Sequence, residues 1–234
     1  MALLHCWLSE QACDKDNQNR PPSAIVSIGN TRHSGSSPVQ TYASYASRVR
    51  NSLVGGLVTI APLVFSERLR GTSIPDLQAL CREHLALTHP DEGLMQVCDR
   101  YVTLLCGLME GRGEDGIKAL LEDAAKGARG LDVAALLKRN LPDNQVVGRM
   151  YSPACYISDS WPVVLYLAYK YRNDPWLALR VNTNLGGDNV HRGMVLGALL
   201  GLTSDNLANQ WFDQLVKHED IDREIAALID SANV

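Results

Sequence analysis

The chain has no Cys-x-x-Cys pair among its 6 cysteines (Cys6, Cys13, Cys81, Cys98, Cys106 and Cys155). That absence argues against a structural zinc site or a secreted disulfide scaffold. No run of basic residues gathers either. The 22 Lys and Arg are scattered among 26 Asp and Glu for a net charge of -4, so a nucleic-acid backbone is not an expected partner. The longest apolar stretch, Met194 to Leu202, falls far short of the ~20 residues that span a bilayer. Met1 to His5 carries no basic leader. The expectation is a soluble, cytoplasmic protein with no membrane partner and free thiols, several of them packed as small hydrophobes. Nowhere does a segment alternate with period two between turn dipeptides, which leaves a sheet-based fold without support.

What is present is an ordinary globular balance, 46% hydrophobic and 21% charged. Residues 1–40 stand apart, being polar at Asp14 to Asn19, stiff at Arg20-Pro21-Pro22 and rich in Ser and Gly at Thr31 to Pro38. They read as an irregular N-terminal segment. Residues 41–234 read as one all-α domain, because no linker interrupts them. Leu94, Val97, Cys98, Tyr101, Leu104, Leu105 and Leu108 recur at steps of three and four, which places them on one helical stripe. Gly111 and Gly113 close that helix, and another opens near Glu114. Similar patterns predict helices over Ile74 to Thr88, Leu131 to Lys138, Pro162 to Tyr171, Trp176 to Val181, Val190 to Leu202 and Asn206 to Ala232. Eight or more helices on short loops imply a compact, orthogonal multi-helix array.

The most unusual stretch is Asn182-Thr183-Asn184-Leu185-Gly186-Gly187-Asp188-Asn189-Val190-His191-Arg192-Gly193, a polar turn between two apolar helices. Two glycines permit close backbone approach to a ligand, and a helix N-terminus favours anions. Asp188 and His191 could give an oxygen and a nitrogen to a divalent metal. Residue chemistry alone serves equally well for a second reading, in which the glycines end one helix, Asp188 or Asn189 caps the next and Arg192 is solvated.

Three ordered motifs resemble the ADP-ribosylglycohydrolase family, which includes dinitrogenase-reductase-activating glycohydrolases and some lens crystallins. They are the 182–193 stretch with Leu196 to Gly201 behind it, Tyr156 to Pro162 with Leu165 to Ala168, and Asn51 to Leu57 with Ile60-Ala61-Pro62. Together they span roughly positions 40 to 215. The resemblance implies an all-α fold whose cleft binds ADP-ribose beside two Mg2+ ions, held in active members by an N-terminal Asp-Asp-Thr or Asp-Asp-Ser cluster and by Gly-Gly-Asp-x-Asp-Thr. Hard cations need such oxygen ligands to orient the ribose hydroxyls and activate water.

On that basis Asp159 and Asp188 are the candidate catalytic carboxylates, and Asp188 and His191 the candidate ligands of Mg2+, held weakly or as a single ion. Gly55, Gly56, Tyr156, Asn182, Gly186, Gly187 and Arg192 are the candidate ligand-binding residues. Several of them also have a plainer account. Asp159 or Ser160 could cap a helix whose first turn holds Pro162, Tyr156 could be core, and the Gly55-Gly56 pair could be a tight helix entry. The sequence departs from the family scheme at two places. Nothing in residues 1–50 reads as the first carboxylate cluster, and Val190 and His191 stand where the second carboxylate and the hydroxyl ligand would be. Two functions follow as expectations: a hydrolase or binder of an ADP-ribosyl glycoside, and a catalytically silent structural or partner-binding member. A core short of N-terminal helices would also favour a homodimer.

Overall fold

The computed structural model describes residues 52–204 and 212–232. The irregular segment expected over residues 1–40 lies outside them. A 3-10 turn, Val54–Leu57, leads into α1 (Ile60–Leu69), α2 (Ile74–Ala86), α3 (Glu92–Met109), α4 (Glu114–Ala125) and α5 (Val133–Lys138). A single α turn at Asp143–Gln145 and a π turn at Val146–Met150 follow, then α6 (Ile157–Tyr171), α7 (Pro175–Asn184), α8 (Asn189–Leu200) and α9 (His218–Ala232). Among the described residues, β pairing is confined to isolated bridges at Leu53–Tyr156 and Val147–Tyr151, and the fold is all-α. None of their helices is long and apolar enough to cross a membrane.

Short polar residues open most of these helices by taking up an otherwise unpaired N–H. Asp91 accepts from Leu94 N at 2.8 Å, Asp132 from Ala135 N at 2.9 Å and Asp174 from Leu177 N at 3.0 Å. The stripe read from α3 is buried at Leu94, Cys98, Tyr101, Leu104, Leu105 and Leu108, while Val97 sits at its half-buried edge. At the centre lies α6, which touches α3, α4, α5, α7, α8 and the 3-10 turn. Every residue from Asp159 to Tyr169 is consequently buried, as expected for a helix with neighbours all round. Cys81, Cys98 and Cys106 are free and buried, and burial pushes all three thiols up, Cys81 to about 12. They are packing groups, not nucleophiles.

Two helix starts differ from the sequence reading. The Tyr156 carbonyl already accepts from Asp159 N at 3.0 Å and Ser160 N at 2.8 Å, so α6 begins at Ile157 and Pro162 falls in its second turn. A first-turn proline is the commoner arrangement, which is why the sequence pattern points to a start at Pro162. At the other end, Phe212 to Lys217 form turns instead of continuing one helix from Asn206 to Ala232. His218 turns its ring nitrogen onto Leu215 O at 2.8 Å, Val216 is left 97% exposed, and the apolar period restarts with buried Ile221 and Ile225. Residues 205–211 lie outside the described ones.

One polar cluster fastens the Asp143 turn to α6. Asp143 accepts from Tyr166 Oη at 2.7 Å, Lys170 Nζ at 2.6 Å and Tyr171 Oη at 2.6 Å. Burial pushes the Asp143 carboxyl up, but the hydrogen bonds from Lys170, Tyr166 and Tyr171 outweigh it and hold the group below its usual range. A carboxylate depressed in the folded state stabilises it above the unfolded pKa and loses that contribution as pH falls through the folded value. Asp143→Asn is therefore expected to cost about 2 kcal/mol at neutral pH. In urea titrations followed by circular dichroism at a series of pH values, that deficit should shrink as the medium becomes more acidic than the carboxylate range; a constant deficit would rule the ionic account out.

Candidate functional site

The candidate site lies where two glycine turns, far apart in sequence, meet at the N-terminal end of α8. Asp188 caps that helix, accepting from His191 N at 3.4 Å. The same carboxylate also closes on the His191 ring, with Nδ1 2.8 Å from Oδ1 and 3.0 Å from Oδ2. Three residues along a first helical turn bring side chains onto one face, so Asp188 and His191 stack locally without help from the rest of the fold. Burial pushes the Asp188 carboxyl up, yet the His191 ring, its backbone N–H and the charge of Arg192 together hold it below the ordinary range.

Opposite His191 stands the 3-10 turn. A Cβ at Gly55 would lie 3.4 Å from His191 Cδ2, an ordinary contact, so the turn faces the ring. Gly56 is more constrained: a Cβ there would lie 2.8 Å from Leu85, 2.9 Å from Leu94 and 3.0 Å from His89. The pair thus seats the turn between two imidazoles, with Gly56 serving core packing and Gly55 bordering His191. Burial lowers the His89 pKa first, and the nearby His191 lowers it further. Ser52 Oγ donates to Asp91 Oδ1 at 3.0 Å, tying the entry of this turn to the cap of α3. The chain entering the turn also pairs with the start of α6, through Val54 N to Cys155 O at 2.9 Å and Ile157 N to Ser52 O at 3.0 Å. Tyr156, bridged to Leu53, is 45% exposed at this end and not a core residue as its apolar neighbours suggest.

Behind Asp188 the geometry differs from the sequence expectation. Arg192, read from the sequence as a ligand-binding or a solvated residue, is 0% exposed and aims its guanidinium fork inward. Its Nε donates to Asn182 Oδ1 at 2.7 Å, Nη1 to Pro153 O at 3.1 Å, and Nη2 to Asn182 O at 3.2 Å and Gly186 O at 2.9 Å. One of these acceptors, Asn182 O, lies in the last turn of α7 and another, Gly186 O, just beyond it, where unpaired C=O groups and the helix dipole favour a cation. Burial pulls the Arg192 pKa down and Asp188 partly restores it. Asn182, 2% exposed, gives its amide to Asn189 O at 2.8 Å, and so bridges α7 to α8.

Gly186 and Gly187 both adopt φ +67°. A Cβ at Gly187 would fall 2.1 Å from Pro153 O, so its close approach is to the chain's own backbone, which also accepts from Asp188 N at 3.0 Å. Gly186 has nothing within 4 Å of a built Cβ.

Asp159 lies across the same 152–155 loop and does not cap α6, which begins at Ile157 behind Tyr156. Its carboxylate accepts from Arg129 Nη1, from Ser152 N at 3.2 Å and from Ser158 Oγ at 3.4 Å. Arg129, His89, Asp91 and the Pro153 carbonyl are the contributors that reading the sequence missed. A short polar residue just before the strongest helix could have flagged Asp91 as a cap; no local pattern marks the other three.

A pair of Mg2+ ions calls for several converging oxygens. Among the described residues, no group of three or more His, Cys, Asp or Glu side chains is placed to hold an ion. Asp188 spends both oxygens on His191, and Val190, 50% exposed on the first turn of α8, has no donor atom. The described residues do not fit the two-ion centre.

An all-α array with a glycine turn facing the capped N-terminus of a late helix defines the class of fold. The sequence matches the family model described as ADP-ribosylglycohydrolase over residues 2–233, nearly its whole length, and the chain belongs to that family. The match is wider than the three motifs and takes in the first 40 residues. No curated protein matches the chain.

Proposed function

We propose that the protein binds an ADP-ribosyl group at the end of the bundle formed by the Gly55 turn, the His89–Asp91 corner and the first turn of α8, and that it does not hydrolyse the glycoside by the two-ion route. One observation carries the binding half: the Gly55 backbone and the half-exposed His191 ring, 136 positions apart (191 − 55), meet at one surface held by an internally satisfied frame. Rigid placement of a few polar groups by surrounding hydrogen bonds is what a ligand site requires. Tyr156, exposed beside the entry to that turn, supplies an aromatic face of the kind a purine stacks on.

The silent half rests on the state of the carboxylates. Protonating a glycosidic leaving group needs a carboxylic acid with a raised pKa. Asp188 is depressed instead, and Asp159 is paired with Arg129. Neither is arranged as that acid.

Calorimetric titration of the full chain with ADP-ribose should give saturable heat. Incubation with an ADP-ribosylated arginine peptide and magnesium should release no ADP-ribose. Magnesium-dependent release would overturn the silent half; the absence of heat would overturn the binding half.

A further inference from the structure

The Asp188–His191 pair carries a consequence specific to this chain, and it rests on the ADP-ribosyl-binding reading above only for its ligand arm. We infer that the α8 junction is closed to divalent cations, with the His191 imidazole standing against the Asp188 carboxylate in the place of an ion, so that the ligand binds without a metal. Both carboxylate oxygens lie within hydrogen-bond distance of one ring nitrogen, at 2.8 and 3.0 Å. The Asp188 side chain is only 17% exposed, which leaves little room for an ion to approach from another direction. The next positions add no second carboxylate: Val190 has no side-chain donor atom, Arg192 is a cation buried just behind, and Asn189, whose side-chain N–H donates to Gly187 O at 3.3 Å, has only a neutral carbonyl to give. An ion entering here would have to displace the ring and sit near a guanidinium with, among the described residues, one carboxylate to offset the repulsion. His191 therefore acts as a positioning residue that blocks the carboxylate.

The test uses Mn2+ as the probe, read as a thermal shift and as loss of the free-ion electron paramagnetic resonance signal, on the full-length protein. Wild type is expected to show neither. His191→Ala, which uncovers Asp188, and Val190→Asp/His191→Thr, which adds oxygen donors, should each acquire both signals, and Asp188→Asn placed in either background should remove them. The second variant keeps the test decisive if the first folds poorly. A Mn2+ signal in wild type that Asp188→Asn abolishes would overturn the inference, as would the continued absence of any signal in both variants. The ligand arm compares ADP-ribose binding in excess magnesium and in excess chelator. Equal affinity is the expected result, binding only with magnesium overturns the cation independence alone, and no binding in either medium overturns the ADP-ribosyl reading instead.

Discussion

Replacing Arg192 by leucine is expected to lower the unfolding free energy by about 4 kcal/mol, within the range seen when one member of a buried charged network is removed. The guanidinium is completely buried and donates to oxygens from three segments: the end of α7, the Gly186 turn and the Pro153 loop. Leucine fills part of the volume but leaves Asn182 O, Asn182 Oδ1 and Gly186 O facing an apolar group, and each such acceptor costs on the order of 1–3 kcal/mol. Arg192→Lys should recover little, because one ammonium on a flexible stem cannot reach acceptors arrayed around a planar fork. For a chain of this size the loss corresponds to a fall of roughly 10 °C in Tm. Thermal unfolding followed by circular dichroism measures it. A leucine variant within a degree or two of wild type would show that these bonds do not hold the junction together.

Gly187→Ala should be the second most damaging change, and Gly186→Ala provides an internal control. Both residues have φ +67°, where an L side chain costs roughly 1–2 kcal/mol, so conformation alone predicts equal effects. Their surroundings differ. The alanine methyl at Gly187 would sit 2.1 Å from Pro153 O and 2.6 Å from its carbonyl carbon, which are backbone atoms with no rotamer to change. Relief requires moving the loop away, and that breaks the bonds from Asp188 N and Arg192 Nη1 to the same carbonyl. Overpacking adds about 1–3 kcal/mol, for a total of about 3–4 kcal/mol at Gly187 against about 1 kcal/mol at Gly186. Urea denaturation of the two variants, compared at unchanged m-value, tests this. Equal destabilisation would mean that backbone conformation, and not the Pro153 contact, explains the second glycine.

Much of the fold was legible because helices announce themselves locally. The α3 stripe and the Gly111-Arg112-Gly113 stop both lie within a few residues of the feature they specify. Starts were less secure where two local signals competed, as at α6, where Pro162 suggested one turn and the pairing of Ser52 to Val54 with Cys155 to Ile157 imposed another. The Asp188 motif stood out for the same reason that it stayed ambiguous: Gly-Gly-Asp before a helix suits a cap and a ligand site alike. In the structure Asp188 is a cap, and the same carboxylate also holds an imidazole that faces the Gly55 turn.

The sequence by itself determined the all-α class, most helix cores and the family, since periodicity, caps and ordered motifs are properties of neighbours along the chain. Only the tertiary structure decided what the polar residues do. Whether Arg192 reads a phosphate or clamps three segments, and whether Gly187 yields to a ligand or to Pro153, depends on atoms as far as 39 positions away in the chain. Hydrogen bonding and close contact are settled by distance in space, and a linear pattern carries no record of that distance until the helices have packed.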